Sequence, residues 1–326
     1  MTDNASTLNG IVQAQLCPYT SDDEVDHGGL EENTEYFASF AASRDVDVAV
    51  LANGSTAESY ANTDAEQRSV IETVVESSGD VPVIAGTGKP GTEATIEMTA
   101  HAERAGADAA LVVTPYYRSP TESGLYAHFE AVSNAVDIDV VVYNNPDVSG
   151  AQIPPHVLDR IADLENVVAT KDGTPLIGDF YAIARRLSPE RMILLSSDAY
   201  TGYAAKAAMT DAVRGFFSVL ANFAPQLEWE LYNAVRRGDD GAIEAALSKQ
   251  DAFWSFVGDV EARREPTTVL PEGWATNHLY LPVAKAAMDL TGLNGGHSRL
   301  PEVDLTDTEI EELESILRGM GVETVR

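Results

Sequence analysis

Two residues with reactive side chains each close a run of β-branched residues in this sequence. Tyr143 follows the run 140–142, and Lys171 follows the run 167–170. A continuous apolar run bounded by turn signals is typical of a buried parallel strand. The C-terminal ends of such strands carry the active sites of α/β barrels. We therefore expect both side chains at one active site, against the alternative that they are surface residues of two loops.

Lysine is scarce in the chain, which favours a chemical role for the one that follows a buried strand. The five lysines are Lys89, Lys171, Lys206, Lys249 and Lys285. A lysine amine is protonated at neutral pH because its reference pKa is about 10.4. Desolvation at the mouth of an apolar barrel lowers that pKa, and the neutral amine can attack a carbonyl carbon to form a Schiff base. The hydroxyl of Tyr143, on the neighbouring strand, could transfer the protons that this reaction moves.

The turn Gly54-Ser55-Thr56 could hold a substrate beside that lysine. It follows the apolar run 46–51 and precedes a helical pattern. Backbone N–H groups at a helix N-terminus can bind a carboxylate, so the turn is a candidate carboxylate site. Taken alone, an ordinary strand-to-helix turn is the simpler interpretation.

The segments that must position these residues alternate between strand and helix patterns. Eight predicted strands end at residues 16, 51, 85, 113, 143, 171, 196 and 219, and helical patterns separate them. Eight alternations predict parallel pairing and a closed (β/α)8 TIM barrel, an α/β fold. A doubly wound open sheet is the alternative, although it rarely sustains so many regular units.

The C-terminal part of the chain is different in kind. Residues 1–224 carry the alternation and the candidate site, whereas residues 225–326 show only helical periodicity. Thr306 and Glu309 have the spacing of a capping box at the start of the last helix, as Thr63 and Glu66 do near the second strand. We predict a helical extension packed on the barrel.

Composition predicts a soluble cytoplasmic protein with a large core. Hydrophobic residues make up 44% of the chain. No run approaches the roughly 18 apolar residues of a membrane span, and the start of the chain lacks the pattern of a signal peptide. Cys17 is the only cysteine, which leaves no intrachain disulfide and no cysteine metal cluster. The six histidines have no ligand spacing, so we predict no metal site.

Charge is the strongest compositional signal. Aspartate and glutamate number 52 against 21 lysines and arginines, a formal net charge of −31, and the acidic residues are spread along the chain. Such a surface repels itself in ordinary salt and is screened in molar salt. We interpret the chain as that of a halophile, with an archaeon as first choice; the apolar content disfavours an acidic disordered protein. The same charge argues against nucleic acid or an anionic membrane as a partner.

Several segments, taken together, resemble one enzyme family. The segment 54–59, Gly-Ser-Thr-Ala-Glu-Ser, resembles the Gly-[Ser/Thr]-Thr-Gly-Glu motif of the dihydrodipicolinate synthase/N-acetylneuraminate lyase family. Tyr143-Asn144-x-Pro146, Thr114-Pro115-Tyr116-Tyr117 and Lys171 match that family in order and spacing. The resemblance implies a class I aldolase: a (β/α)8 barrel that binds pyruvate or another 2-keto acid as a Schiff base on Lys171, with no other cofactor.

The resemblance also implies a role for each matching residue. Tyr143 resembles the general acid/base, and Ser55 resembles the hydroxyl that relays its proton. The N–H groups of Ser55 and Thr56 would hold the substrate carboxylate. Tyr117 resembles the tyrosine that family members often lend across a dimer interface, and the resemblance implies a homo-oligomer, a dimer of dimers. Phe217 resembles a position whose main chain faces the Schiff base, while its side chain is most simply core.

Departures from the family pattern bear on the substrate. Val148 stands where synthases that make dihydrodipicolinate carry an arginine for the carboxylate of the semialdehyde, so a charge-assisted pair would be lost. Pro146 is kept, as in the aldolase branch. We predict an aldehyde-lyase of carbohydrate metabolism that cleaves a 2-keto-3-deoxy sugar acid to pyruvate and an aldehyde. The first choice of substrate is 2-keto-3-deoxygluconate or its 6-phosphate.

Three alternatives remain open. A 5-keto-4-deoxyglucarate dehydratase-like lyase, which the segment Lys171-Asp172-Gly173 resembles, and a dihydrodipicolinate synthase-like lyase would use the same lysine. A catalytically silent barrel would only bind a keto acid or a protein partner.

Asp198 and Tyr200 could line the pocket, although a helix cap and loop packing are ordinary roles for them. Arg118 could contact an acidic sugar end or be solvated.

Overall fold

The computed structural model describes residues 8–44, 46–174, 176–264 and 279–325. The strands are β1 (Gly10–Ala14), β2 (Val48–Ala52), β3 (Val83–Gly86), β4 (Ala109–Val113), β5 (Asp139–Asn144), β6 (Val167–Asp172), β7 (Ile193–Ser196) and β8 (Val213–Ser218). The α-helices are α1 (His27–Ala42), α2 (Asp64–Ser77), α3 (Thr92–Ala105), α4 (Glu122–Ala135), α5 (Pro146–Ser149), α6 (Pro155–Ile161), α7 (Ile177–Ala184), α8 (Ala204–Ala207), α9 (Pro225–Arg237), α10 (Asp240–Arg263), α11 (Tyr280–Leu290) and α12 (Asp307–Gly319). Short 3₁₀ turns cover Ser55–Ala57 and Leu220–Asn222, and a π-helical turn covers Ala199–Tyr203. No helix in the described ranges has an apolar stretch long enough to cross a bilayer.

The eight strands form one closed parallel barrel in chain order, and β1 pairs with β8 to complete it. Each strand is apolar on both faces, because one face points into the barrel and the other packs under the helices. Val12 and Ala49 belong to the inner apolar cluster. Ile11 and Val50 belong to the outer one, which the helices complete. The predicted (β/α)8 TIM barrel is confirmed, and the open-sheet alternative is wrong.

The pairing of β5 with β6 places the two reactive residues side by side. Tyr143 on β5 lies opposite Lys171 on β6, and each stands one residue before the end of its strand. Side chains alternate along a strand, so both residues share the inner face with Val141 and Ala169, two positions before them. Both side chains therefore lie at the C-terminal mouth of the barrel.

The C-terminal helices pack against the same end of the barrel. α10 packs on α9 and α12, and α11 packs on α12. Phe253 and Leu281 of these helices share an apolar cluster with Leu16 and Leu220, which follow the carboxyl ends of β1 and β8. Helices of the predicted extension are thus present, while residues 265–278 lie outside the described ranges. The division into 1–224 and 225–326 stays a prediction.

The largest difference from the predicted elements is the length of α10. The sequence pattern predicts a helix over 242–254, and the structure extends it from Asp240 to Arg263. Phe256 and Val260 continue its buried face. The apolar cluster of the extension therefore stabilises turns beyond the predicted end.

Candidate active site

A cavity of about 420 Å³ opens at the carboxyl ends of the strands. Four of the residues singled out from the sequence line it: Lys171, Tyr143, Thr56 and Phe217. The weaker candidates Asp198 and Tyr200 line it as well. Strand ends that are distant in sequence thus supply one concave site, which is the usual position of a barrel active site.

A larger cavity, of about 780 Å³, lies among the turns that precede β2 and β3. Its ionisable lining side chains are the carboxylic acids Glu35, Asp47 and Asp80. It offers no amine for Schiff-base chemistry and lies at the N-terminal end of the strands. We therefore place the candidate site in the smaller cavity.

Lys171 is held between two aromatic rings. Its Nζ atom lies 4.1 Å from the ring centre of Tyr143 and 4.3 Å from that of Phe217. Burial lowers the pKa of the amine to about 7, with the negative charge of Asp198 opposing that shift. A substantial fraction of the amine is therefore neutral at neutral pH, which a nucleophile requires.

The backbone that carries Lys171 is fixed by a buried ion pair on the outer side of β6. Lys206 donates to the Asp172 side chain at 2.8 Å and to the Asp172 carbonyl oxygen at 3.0 Å. The hydroxyl of Thr174 donates to the other carboxylate oxygen at 2.6 Å. Asp172 is 1% exposed, so its carboxylate depends on these partners. The pair thereby fixes the end of β6 and the direction of Lys171.

The Tyr143 hydroxyl is oriented by a neighbour that the sequence interpretation missed. The Asn145 side-chain amide donates to Tyr143 Oη at 2.6 Å. Burial raises the pKa of Tyr143 to about 12, and the hydrogen bond from Asn145 opposes the shift. The hydroxyl is therefore protonated at neutral pH and can donate to a substrate oxygen.

The position of Asn145 follows from the short helix α5, where no helix was predicted. Its side-chain oxygen accepts from the N–H groups of Asp147 and Val148, and Pro146 takes the first helical position. An asparagine before a proline is a helix-start signal. That signal could have indicated the cap, but not the bond to Tyr143.

Ser55 and Thr56 lie in a 3₁₀ turn directly after β2. Thr56 lines the main cavity, and Ser55 lines a small cavity of about 40 Å³ that Tyr143 and Lys171 also bound. The turn begins after Asn53, whose φ of 55° is left-handed and whose amide donates to the Gly86 carbonyl oxygen at 2.8 Å. The fold thus brings the predicted carboxylate turn to the lysine, while its binding role stays a prediction.

Tyr117 and Phe217 differ in how they meet the site. Tyr117 is 91% exposed and does not line the cavity of its own chain. Its proposed role across an interface therefore requires a second copy. Phe217 is buried, and its ring contacts the Lys171 amine, whereas the resemblance gave a role only to its main chain.

The C-terminal helices supply lining residues that sequence reasoning did not find. Glu228 of α9, Trp254 of α10 and Tyr280 of α11 all line the cavity. Burial raises the pKa of Tyr280 to about 12, and the Thr56 side chain opposes that shift. These residues sit within helical periodicity, where a pocket residue looks like a core residue.

The described part of the chain contains no group of three or more histidine, cysteine, aspartate or glutamate side chains arranged to hold a metal ion. The predicted lack of a metal or other cofactor stays a prediction.

Comparison with known proteins assigns the chain to a family. The model of the dihydrodipicolinate synthetase family matches residues 7–320. The chain belongs to this family. A relative named 4-hydroxy-tetrahydrodipicolinate synthase, from Methanothrix thermoacetophila, is 33% identical over 314 residues, which cover 96% of this chain and 97% of the relative.

Two solved structures of dihydrodipicolinate synthases have the same architecture. The enzyme from Aquifex aeolicus is 28% identical with a TM-score of 0.83, and the match covers 98% of this chain and 100% of that one. The chloride-inhibited enzyme from Acinetobacter baumannii, solved with pyruvate, is 28% identical with a TM-score of 0.79, covering 97% and 100%. The family predicted from the motifs is confirmed, and this member of the dihydrodipicolinate synthetase family is a lyase of the class I aldolase type.

Proposed function

We propose that this lyase binds pyruvate, or a close 2-keto acid, as a Schiff base on Lys171. The observation that carries the proposal is the environment of the amine. It lies against the rings of Tyr143 and Phe217, and its pKa is lowered to about 7. The structure of the Acinetobacter baumannii relative was solved with pyruvate, which supports pyruvate as the keto acid that Lys171 binds here.

The proposed reaction starts with attack of the neutral Lys171 nitrogen on the carbonyl carbon. As the C–N bond forms, the carbonyl oxygen takes a proton and the nitrogen loses one, which gives a carbinolamine. A second proton on that oxygen lets it leave as water, and the C–O bond breaks to give a protonated imine. Loss of a methyl proton gives an enamine, which adds to an aldehyde; the reverse sequence cleaves that C–C bond. Tyr143 would donate and recover the protons, because its hydroxyl, with a pKa of about 12, is protonated at neutral pH. Ser55 would relay them, and the N–H groups of Ser55 and Thr56 would hold the carboxylate.

The names of the relatives favour the synthase-like alternative over the predicted 2-keto-3-deoxygluconate aldolase. The relative from Methanothrix thermoacetophila and one from Methanococcoides burtonii are both named 4-hydroxy-tetrahydrodipicolinate synthase. On this basis the first candidate reaction is condensation of pyruvate with an aldehyde that carries its own carboxylate. The carboxylate of such an acceptor would need a cation at the end of the cavity away from Lys171.

One observation favours cleavage of a 2-keto-3-deoxy sugar acid as the second candidate. Val148, where an arginine would hold a second carboxylate, has an uncharged side chain that is 39% exposed. Asp147 beside it lines the cavity and adds negative charge there. The aldehyde portion of a sugar acid carries hydroxyl groups and needs no such cation.

Tyr117 bears on the proposed assembly. Its ring is 91% exposed, and its backbone adopts an unusual left-handed φ of 77°. An exposed tyrosine held in a strained conformation suits a contact with another copy. We propose a homo-oligomer in which this ring reaches the cavity of a neighbour.

Exchange of the methyl protons of pyruvate tests the proposed function without any acceptor. In heavy water, the wild-type protein should replace these protons with deuterium, which removes the methyl signal from the proton NMR spectrum. Lys171→Ala should abolish the exchange. Lys249→Ala is the matched control, because this partly exposed lysine pairs with Glu230 away from the cavity. Exchange that persists in Lys171→Ala would show that this lysine is not the nucleophile.

A further inference from the structure

The cavity has an unusual balance of charge for a site that would receive two anionic groups. Lys171 is its only basic lining residue in the described part of the chain, whereas Asp147, Asp198 and Glu228 contribute three carboxyl groups. Once Lys171 forms a Schiff base, no second cation of the lining is available to an anionic acceptor.

Glu228 is the most deeply buried of these carboxyl groups. It is 1% exposed and comes from the first turn of α9, just beyond β8. Its Oε1 accepts from the Ser218 hydroxyl at 2.6 Å, and its Oε2 accepts from the Gln250 side-chain amide at 3.3 Å. In the described ranges it forms no ion pair, so neutral donors alone hold it at the cavity wall.

An aromatic pair lines the cavity beside this carboxyl group. The rings of Tyr200 and Trp254 stack with centroids 5.9 Å apart and planes 28° apart, and both line the same cavity. Gln250 joins the two features, because its amide donates to Glu228 and its carbonyl oxygen accepts from Trp254 at 3.5 Å. A flat apolar surface next to a hydrogen-bond acceptor matches a chain that has C–H faces and hydroxyl groups.

We propose that Glu228, held by Ser218 and Gln250, binds a hydroxyl group of the aldehyde portion of the substrate. The cavity then selects an uncharged, hydroxylated aldehyde over one that ends in a carboxylate or phosphate. This inference rests on the proposed Schiff-base function and decides between its two candidate reactions.

The sign of the charge at the end of the cavity away from Lys171 determines which acceptor is favoured. A hydroxyl donor gains a charge-assisted bond to a carboxylate, whereas a second anion meets like charges without a counter-ion. Burial raises the pKa of Glu228 to about 7, and the charge of Asp198 adds to that shift, so Glu228 is mostly ionised only above neutral pH. Once Glu228 is ionised, an anionic acceptor would add a further negative charge beside it and Asp198.

A matched pair of acceptors tests the selection in the wild-type protein. Glyceraldehyde and tartronate semialdehyde differ only in a terminal hydroxymethyl group against a carboxylate, and glyceraldehyde 3-phosphate adds a phosphate. At about pH 8, where Glu228 is mostly ionised, we expect kcat/KM for condensation with pyruvate in molar KCl to be at least about tenfold higher for glyceraldehyde than for either anion. The salt screens exposed charges far more than the charge of the buried Glu228. Equal or greater use of the anionic acceptors would overturn the proposal.

Two substitutions assign the selection to Glu228. Glu228→Gln keeps the shape and hydrogen-bonding capacity but removes the charge, so the preference for glyceraldehyde over tartronate semialdehyde should shrink roughly tenfold. Glu228→Leu removes the acceptor as well, so kcat/KM for glyceraldehyde should fall at least about tenfold. Glu230→Gln, on the same helix, removes a partly exposed carboxylate that pairs with Lys249 and should change neither value. A preference unchanged in both Glu228 variants would contradict the assignment.

The methyl exchange of pyruvate separates this inference from the proposed function. It requires Lys171 and no acceptor, so both Glu228 variants should still show exchange, whatever its rate. Retained exchange with unchanged acceptor preference overturns the role of Glu228 alone. If the wild-type protein shows no exchange, the Schiff-base function is overturned, and this inference with it. If either variant fails to fold, the wild-type comparison of the acceptors still decides the selection.

Discussion

At the scale of single residues, the proposed chemistry depends on an amine that can lose its proton near neutral pH. Lys171 is buried against Tyr143 and Phe217, and the charge of Asp198 favours its protonated form. Desolvation therefore outweighs the attraction of the carboxylate. A catalytic lysine needs this balance, because a full ion pair would keep the amine protonated.

The lowered pKa predicts the pH dependence of Schiff-base formation. The reactive form is the neutral amine, whose fraction rises through a pKa of about 7. At fixed pyruvate concentration, the rate of adduct formation should rise between about pH 6 and pH 8 and then level off. Quenched-flow trapping measures this rate. A rate that keeps rising about tenfold per pH unit towards pH 10 would indicate an ordinary lysine.

Tyr143→Phe should slow turnover by roughly 100-fold or more, because a general acid/base contributes about that much. The ring that packs on Lys171 is kept, so the fold and slow adduct formation should remain. Steady-state assays of pyruvate release or condensation measure the change. Tyr181→Phe, which alters a tyrosine 55% exposed on α7, is the control. Turnover unaffected in Tyr143→Phe would assign the proton transfer to another group.

The sequence predicted the reactive pair but not the residues that tune it. Tyr143 and Lys171 could be found because each ends a continuous apolar run, and the barrel rule places such ends together. Asn145 was missed because its bond to Tyr143 depends on the start of α5. Glu228 and Tyr280 were missed because helical periodicity does not show which buried residue faces a cavity.

At the scale of elements, the end of β6 is stabilised from its outer side. Asp172 and Lys206 form a buried pair at 2.8 Å, on the strand and on the helix after β7. The pair contributes little as an attraction, because both charges lose their water. Its effect is to make the end of β6 rigid where Lys171 is attached.

Lys206→Met should therefore destabilise the protein by about 3–5 kcal/mol, because it leaves the Asp172 carboxylate buried without its cation. Chemical denaturation followed by circular dichroism measures the free energy of unfolding. Lys249→Met, which breaks a more exposed pair with Glu230, should cost less than about 1 kcal/mol. If both substitutions lowered the free energy of unfolding equally, burial would not increase the cost of breaking the Asp172–Lys206 pair.

Element type was more predictable than element length. The eight strands follow from short apolar runs, since both faces of a parallel strand are buried. The end of α10 was missed because Phe256 and Val260 extend its buried face beyond the predicted stop. The two predicted capping boxes, at Thr63 and Thr306, are present, since a cap depends only on residues three apart.

At the scale of the whole molecule, the net charge of −31 is the dominant property. A barrel with this charge repels itself, and the repulsion falls as the Debye length shortens to about 3 Å at molar salt. The predicted halophilic origin depends on this argument.

The melting temperature should accordingly rise as KCl increases from about 0.1 M to about 2 M. Differential scanning calorimetry measures it, and parallel measurements in sucrose separate charge screening from general exclusion of a cosolute. A melting temperature that is the same at both salt concentrations would contradict the interpretation of the acidic surface.

Barrel topology could be read from the sequence, whereas the closure of the cavity could not. Alternation of strands and helices fixes which strands pair. The seating of α9, α10 and α11 on the barrel mouth depends on long-range packing between Phe253, Leu281 and the residues after β1 and β8. That packing brings the carboxyl group of Glu228 and the ring of Trp254 to a site whose amine lies on β6.

The most direct test of the central claim is reduction with borohydride in the presence of pyruvate. We predict one reduced pyruvate adduct per chain, located on the peptide that contains Lys171 by mass spectrometry, and no adduct in Lys171→Ala. Wild-type protein without an adduct, or with the adduct on another lysine, would contradict the account.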